Sequence, residues 1–481
     1  MANLLATLLN SATALDAYDR VLEVTQNNVA NASTPGYAKQ TLLLEALPFN
    51  PEQGLSGGVR PGQVQSTRNE YAEQAVRQQN TGLGREQHAA NSLTSLQATF
   101  DISGSTGIPN ALNQFFQSVS GWGQNPTSTA ARQTVIDRAA DVAQTFQTAA
   151  VALQTQAQDT ETQLRSTVDS VNRLVAQMGA YNHILLQTVD GAHDKGMEAQ
   201  VHAGLEALSQ FVDFTASQQS DGTTTILLNG TTPLLIGDRQ YNLSVTMSVP
   251  DDPPPTYLNA PPTAQLTAAD GTDVTSRTTD GQLGALLDMR NRVLPSYMGD
   301  AYQVGDLNRM AKQFADRVNE ILTSGNLSDG PPPVPGVPLF TYDPASDASV
   351  AKTLAVDPAV TPDQLAAIDP GPPYVSNGIP VTLSQLAVPR DDADKIDGVS
   401  FTEFYGGMAA DVGSQLQRAQ NGQQVQTSLV AQARSQREQL SGVSIDEEAM
   451  ILVEFQRAYQ ANSRFITVLD QLTQETIDLL R

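Results

Sequence analysis

The first thirty or so residues carry an apolar stripe with the period of a coiled-coil helix. Four apolar residues follow one another at intervals of seven: Leu8, Leu15, Leu22 and Val29. The alternate position of this repeat is half apolar, and it holds Leu4, Ser11, Tyr18 and Thr25. Such a narrow stripe predicts a helix that packs through one face. We expect the helix to end near residues 31–36, where Pro35 and Gly36 favour a turn.

The C-terminal segment repeats this design. Residues seven apart are again mostly apolar, and they are Ile445, Leu452, Tyr459, Ile466, Thr473 and Leu480. Phe455 and Leu469 occupy the other position of the repeat. Ser444 suits a helix N-cap, and the acidic residues 446–448 after it complement the helix dipole. This pattern predicts a second long helix with one apolar face.

Neither terminal helix can bury such a stripe by itself. Each would be roughly 40 Å long or more at 1.5 Å per residue. Its other faces are rich in Asn, Gln, Ala, Ser and Thr, whereas a solvated helix normally carries charges there. We therefore expect each stripe to pack on the other terminus, on a neighbouring subunit, or on both. The alternative is an ordinary two-helix hairpin that closes a globular core.

The middle of the chain is mostly helical by pattern, with β segments inserted. Helices are predicted over residues 69–100, 110–120, 128–189, 282–322 and 400–440. Two β-rich runs flank Asn229-Gly230, which predicts a hairpin with a tight turn. A short strand pair is predicted from residues 339–342 and 351–356. The fold class is thus mainly α with β insertions, an elongated multidomain chain with terminal coiled-coil helices.

We divide the chain into four parts. The terminal assembly domain comprises residues 1–45 with 441–481, and a helical-bundle domain comprises 46–215, 281–325 and 396–440. A small β domain is inserted at 216–280, and a Pro-rich segment with short strands spans 326–395. At 481 residues the chain is too long for a single hydrophobic core, which agrees with several domains.

Composition narrows the range of partners. The formal net charge of −24 disfavours binding to nucleic acid or to an anionic membrane. The chain has no cysteine, and it has no apolar run long enough for a transmembrane helix. No Lys or Arg precedes Arg20, so the basic start of a cleaved secretory signal is missing.

No catalytic motif is recognisable in the sequence. One acidic and histidine-containing cluster could be imagined as a metal site, and it consists of Asp190, His193, Asp194, Glu198 and His202. Its spacing fits no standard zinc pattern, so solvated helix and loop residues are the better interpretation. We therefore predict no catalytic, cofactor-binding or metal-binding residues.

Both ends of the chain resemble one protein family. The segment from Thr25 to Tyr37 resembles the N-terminal signature of flagellar rod, hook and hook-associated proteins, through Asn27, Asn28, Ala30, Asn31, Pro35, Gly36 and Tyr37. The segment from Phe455 to Arg464 resembles their C-terminal signature. Residues 281–297 and 441–448 are similar to the hook-associated members that join hook and filament. The resemblance is weakest over 250–275 and 326–395.

The resemblance implies a structural role without enzymatic activity. Members of this family form a ring of identical subunits between the hook protein and the next hook-associated junction protein. They leave the cell through the flagellar type III apparatus, and a chaperone holds the C-terminal helix beforehand. We expect assembly through Leu8, Leu15, Leu22, Val29, Leu452, Phe455, Tyr459, Ile466 and Leu469. The alternatives are a hook or distal rod protein, a secreted adhesin, and a metalloenzyme built on this scaffold.

Overall fold

The structure is a computed structural model that describes residues 2–50, 55–100, 106–187, 195–249, 261–328, 330 and 332–478. Twelve α-helices lie in these ranges: α1 Ala2–Asn31, α2 Glu70–Gln97, α3 Gly107–Gln124, α4 Thr129–Gln187, α5 Lys195–Ser209, α6 Gly281–Asp288, α7 Leu294–Met298, α8 Asp306–Ser324, α9 Val350–Thr353, α10 Gly378–Gln385, α11 Phe401–Ser441 and α12 Ile445–Asp478.

Fourteen short strands lie in the same described ranges: β1 Gln40–Ala46, β2 Phe49–Asn50, β3 Leu55–Ser56, β4 Val59–Ser66, β5 Phe214–Gln218, β6 Thr224–Leu228, β7 Thr232–Ile236, β8 Arg239–Gln240, β9 Ser244–Ser248, β10 Thr263–Thr267, β11 Asn326–Ser328, β12 Val334–Pro335, β13 Phe340–Thr341 and β14 Ala355–Val356. The largest sheet has the antiparallel order β5-β6-β7-β8, and the other strands pair two by two. Helices dominate, so the predicted fold class, mainly α with β insertions, is confirmed.

An aromatic cluster fills the core of the helical part. Phe314 on α8 lies at its centre, with ring centroids 5.7 Å from Phe115 and 5.5 Å from both Phe340 and Phe401. These rings come from α3, α8, β13 and α11, so the cluster joins segments that are far apart in sequence. Tilted and edge-on contacts of this kind stabilise a core beyond simple burial.

A long antiparallel pair of α2 and α11 forms the stem of the helical part. Gly82 lies against Gln426 and Gly422 against Glu86, so the two helices run in opposite directions. Ser400 begins α11 with a complete capping box, in which its hydroxyl accepts from the backbone N–H of Glu403 at 3.2 Å. At the other end of the stem, α11 ends at Ser441, where α12 begins after a short connection.

A second core lies where the β strands meet the C-terminal half of α4. Val171 of α4, Leu205 of α5 and Leu286 of α6 share this core with Leu235 of β7, and all four are fully buried or nearly so. The predicted hairpin is confirmed as β6 and β7, which pair across a turn at Asn229-Gly230 with positive φ at both residues. The short strand pair is confirmed as β13 and β14, but the second strand is limited to Ala355–Val356, because Val350–Thr353 forms α9. The domain boundaries proposed from the sequence stay a prediction.

Two parts of the structure differ from the sequence interpretation. The helix expected over 282–322 is divided, because the chain turns through 299–305, where the Asp300 carboxylate accepts from two backbone N–H groups. The hairpin of β1 and β4 was not predicted. In its two strands, apolar and polar residues alternate only weakly and many side chains are exposed. The sequence there therefore lacks the two-residue apolar repeat that identifies a strand.

Phe314→Ala should destabilise the helical part by about 3–5 kcal/mol, because the substitution opens a cavity at the centre of the aromatic cluster. The measurement is the thermal unfolding midpoint followed by circular dichroism. Val388→Ala, at a strongly exposed position, serves as the matched control and should shift the midpoint little. Equal midpoints for both variants would contradict a core centred on Phe314.

Candidate functional site

The two ends of the chain form one antiparallel helix pair. The rings of Tyr18 on α1 and Phe455 on α12 meet edge-on with centroids 5.7 Å apart. Further along, the Asn462 side-chain N–H donates to the backbone carbonyl of Ser11 at 2.8 Å. Leu469 on α12 is also buried, with 7% of its surface exposed. Two elements from opposite ends of the sequence are therefore held as a single unit.

The residues predicted for the assembly seam differ in how deeply they are buried in this helix pair. On α12, Leu469 is buried, while Leu452, Phe455 and Ile466 are half-buried and Tyr459 is exposed. On α1, Leu8, Leu15 and Leu22 are half-buried, and Val29 is 40% exposed. The assembly role of all nine stays a prediction.

Apolar periodicity identified the most buried face of α1 only in part, because it included Ser11 and Thr25 but not the other three residues. That face consists of Ser11, Ala17, Val21, Thr25 and Asn28. Most of these residues are small or polar, so they do not stand out in a count of large apolar side chains. The Asn-rich signature segment was the one available signal, because it placed Asn28 within a family motif.

Asn28 is the polar centre of the site. Its side-chain N–H group donates to Glu448 Oε2 at 3.0 Å and to the Gln40 carbonyl at 2.8 Å. Its side-chain oxygen accepts from the Gln40 N–H at 2.9 Å and from the Tyr37 hydroxyl at 2.9 Å. Every hydrogen-bonding capacity of this amide is used, although only 1% of the residue is exposed. A buried amide with all four of its hydrogen bonds made fixes one geometry.

Glu448 connects this centre to a cation. Its carboxylate is almost completely buried and lies 3.2 Å from Lys39 Nζ, which also contacts Glu447 at 2.9 Å. Burial alone would lower the pKa of Lys39, but its bonds to Glu447 and Glu448 outweigh that effect and raise the pKa. The Lys39 ammonium therefore stays protonated beside these two side chains.

Tyr37 keeps its proton for a related reason. Burial, followed by the negative charges of Glu448 and Glu198, raises the pKa of Tyr37 to about 12. The phenol can therefore donate to Asn28 across the ordinary pH range. Asn27, also in the signature, donates to the Tyr37 oxygen at 3.3 Å from the exposed side.

The remaining signature residues shape the turn after α1. The Asn31 side chain donates to the Asn27 carbonyl at 3.0 Å, whereas Ala30 is exposed. Gly36, which follows Pro35, has a φ of 75°, and a Cβ there would lie 2.3 Å from the carbonyl oxygen of Ala199. Only glycine fits this close approach.

A buried cluster of charges anchors this turn to the helical part. The Arg68 guanidinium donates to the Gly36 carbonyl at 2.7 Å and pairs with Glu73 at 2.7 Å and Glu198 at 3.0 Å. On the other side of the cluster, Arg437 of α11 pairs with Glu73 and Glu206 at 3.3 and 2.6 Å. The helix pair is therefore bonded to α2, α5 and α11.

An apolar stripe on α12 lies outside its contact with α1. Its members are Met450, Val453, Phe465, Val468 and Leu472, and every one of them is at least 45% exposed. At 100° per residue their mean direction is about 120° around α12 from Phe455 and Asn462, so they flank the face that packs on α1, and Arg457 and Arg464 interrupt them. Exposed apolar side chains grouped on one side of a helix mark a site of association in a soluble protein.

Comparison with known families identifies the group to which this architecture belongs. The sequence model described as "Flagellar hook-associated protein FlgK helical domain" matches residues 93–340, more than half of the chain. The chain belongs to the FlgK family. Models of "Flagella basal body rod protein" and "Flagellar basal body rod FlgEFG protein C-terminal" match residues 8–37 and 434–479, so the paired ends carry the part shared with rod proteins.

Several relatives of this FlgK-family chain match along nearly all of it. Flagellar hook-associated protein 1 of Bacillus subtilis (strain 168) is 25% identical, with 97% of this chain and 96% of that protein aligned. The protein of the same name from Escherichia coli (strain K12) is 21% identical, with 99% and 100% aligned. The structure of the flagellar hook junction protein FlgK from Burkholderia pseudomallei has a TM-score of 0.63 at 15% identity and covers 77% of this chain and all of that chain, which shows a shared fold.

The FlgK family is a structural component of the flagellum. Within the described residues, no group of three or more His, Asp or Glu side chains has the geometry of a metal site. Asp190, His193 and Asp194 lie outside the described residues, and Glu198 is an ion-pair partner of Arg68. Burial and the charges of Arg68 and Arg77 lower the pKa of His202 to about 3, so this imidazole is neutral at physiological pH. In the described part of the chain, no helix is long and apolar enough to cross a membrane.

Asn28→Ala should loosen the base of the helix pair, because it removes four hydrogen bonds and leaves buried partners unsatisfied. The expected result is faster amide exchange at Gln40, whose N–H loses its acceptor, and over the first turns of α12. Asn27→Ala, at the exposed neighbour, is the control and should leave both regions unchanged. Unchanged exchange in the Asn28 variant would show that the network does not hold the pair.

Glu206→Gln should lower the melting temperature at neutral pH but have less effect in acid. Burial would raise the pKa of Glu206, but its bonds to Arg437 and Arg434 outweigh this and hold the pKa below its usual 4.5. The stabilisation by this carboxylate is present above the unfolded pKa and is lost as pH falls through the folded pKa. The difference in melting temperature between wild type and variant should therefore shrink below about pH 4.5. A difference independent of pH would refute the charge mechanism, and exposed Glu454→Gln is the control.

Proposed function

We propose that this chain is a structural subunit at the junction between the flagellar hook and filament, polymerised through its terminal helices. The observation that carries the proposal is the α1–α12 pair with its outward apolar stripe at Met450, Val453, Phe465, Val468 and Leu472. Exposed apolar side chains do not stabilise an isolated subunit, whereas contacts between copies in a ring would bury them and stabilise the assembly. The relatives are named hook-associated protein and hook junction protein, and these names support a location at the junction between hook and filament.

The partners follow from this position. The chain would form a homo-oligomeric ring, contact the hook protein on one side and contact the next hook-associated junction protein on the other. Its location would be extracellular, in the flagellum, after export by the flagellar type III apparatus. Before assembly, the stripe on α12 would aggregate if left open, so an export chaperone covering the C-terminal helix is part of the proposal.

The hook or distal rod protein is the competing member of the wider family. Matches at residues 8–37 and 434–479 do not distinguish the two, because rod proteins share them. The FlgK helical-domain match over 93–340 and the helix-dominated middle favour the junction protein. A secreted adhesin or a metalloenzyme has no feature among the described residues that favours it.

Val468→Asp should abolish incorporation into flagella while leaving the subunit folded. Val468 is half exposed in the isolated chain, so a carboxylate there is hydrated, but burying it between subunits costs several kcal/mol if unpaired. The measurement is electron microscopy of cells carrying only the variant, together with an assay for the protein in the medium. Hooks without filaments and secreted subunits are expected, as for a chain lacking residues 442–481.

Gln456→Asp provides the matched control, since it adds the same charge to an exposed residue on a different face of α12. This variant should support filaments. A second variant, Ile466→Asp, places the charge at a half-buried position and should also prevent incorporation. Normal filaments with Val468→Asp would rule out the stripe as an assembly surface. Normal filaments in cells without this chain would rule out the junction role itself.

A further inference from the structure

A cavity of about 490 Å³ lies between the helical part and the second core. It is bounded by α4, by residues around α9 and by the π-helical turn of residues 289–293 that connects α6 and α7. One wall is apolar and consists of Ala150, Leu153, Ala157, Met298 and Leu307. The cavity is large enough for a medium-sized organic molecule. It lies apart from the α1–α12 pair.

Arg290 is the unusual group in its wall. This side chain is 3% exposed, and its Nε atom is buried without a hydrogen-bond partner. Among the residues that the structure describes, no carboxylate lies within 4.0 Å of its guanidinium, although Glu161 and Asp300 act on it from further away. A buried charge that is not paired is costly, so native proteins rarely keep one without a purpose. π-helical turns, such as the one that carries Arg290, occur frequently at functional sites.

The other charged groups of the wall form no direct ion pair with Arg290 within the described residues. Lys352 Nζ contacts the amide oxygen of Gln154 at 2.8 Å and has no carboxylate partner within the described ranges. Glu161 pairs with Arg165 at 2.8 Å, and the Asp343 carboxylate accepts from the Ala345 N–H at 2.9 Å. Glu161 is thus paired with another cation, and among the described residues neither Glu161 nor Asp343 forms an ion pair with Arg290 or Lys352.

We propose that this cavity is a binding site for a small organic acid, with its carboxylate on Arg290 and its apolar body against Leu153, Met298 and Leu307. A planar guanidinium is suited to a carboxylate, which it can bind through two parallel hydrogen bonds. Lys352 supplies further positive charge at the cavity wall. The apolar wall selects acids with a hydrocarbon or aromatic body over inorganic anions. This site is independent of the assembly role and adds a ligand-binding function to the subunit.

The test uses the full-length chain with sodium octanoate and 4-fluorobenzoate as probes. Each should raise the melting temperature in a saturable manner, by roughly 2–4 °C at about ten times the dissociation constant. Octanamide and 4-fluorobenzamide, which lack the charge, should give no shift, and neither should phosphate at equal ionic strength. Fluorine NMR of 4-fluorobenzoate should show line broadening that octanoate reverses by competition.

Arg290→Met keeps an unbranched, flexible side chain and removes its charge, so it should abolish the thermal shift and the broadening. Arg292→Met is the matched control on the same turn, because Arg292 is exposed and pairs with Asp288. It should respond like wild type. The proposal is overturned if neither carboxylate binds wild type, if the amides bind equally well, or if Arg290→Met retains the response. Should Arg290→Met fail to fold, the NMR competition on wild type and on Arg292→Met still decides between binding and no binding.

Discussion

The side chain of Asn28 is where the two ends of the polypeptide are held together. It bonds Gln40 and Tyr37 on the N-terminal side and Glu448, which is 420 residues away, on the C-terminal side. A buried amide with all its bonds satisfied tolerates little displacement, since any shift would leave a polar atom without a partner. The register of α1 against α12 therefore depends on this one residue and its neighbours, more than on the apolar contacts along the pair.

The helical part makes this meeting of the ends possible. Because α2 and α11 run antiparallel, the start of α2 lies beside the end of α11, where the Ser441 hydroxyl accepts from the Asn69 N–H at 3.0 Å. The Lys39 N–H bonds the Ser441 carbonyl at 2.9 Å, so both chain ends leave the stem at the same place. The cluster around Arg68, Glu73 and Arg437 then fixes the direction of the pair relative to the stem. Rigid attachment of this kind suits a subunit whose terminal helices and outer domains must keep one relation within an assembly.

The single helix α4 links the two cores. Its 59 residues extend for roughly 90 Å, with the N-terminal half in the aromatic core and the C-terminal half against the β strands. The cavity at Arg290 lies where the chain passes from one core to the other. Packing at such a boundary is less constrained than inside either core, because each core is satisfied by its own side chains. This explains how a cavity, and a charge without a partner, can persist there.

The sequence by itself determined the elements whose signal is local. The heptads of Leu8, Leu15 and Leu22, the Asn229-Gly230 turn and the N-cap at Ser444 depend on residues near each other in the chain. The signatures at the two ends were also sufficient to indicate the family. Tertiary structure alone decided which face of α1 is buried, because Ser11 and Asn28 bond to residues hundreds of positions away and are not buried by their own hydrophobicity. Tertiary structure also decided that the Arg290 Nε atom has no hydrogen-bond partner within the described residues, because this depends on the packing around it and cannot be predicted from the sequence.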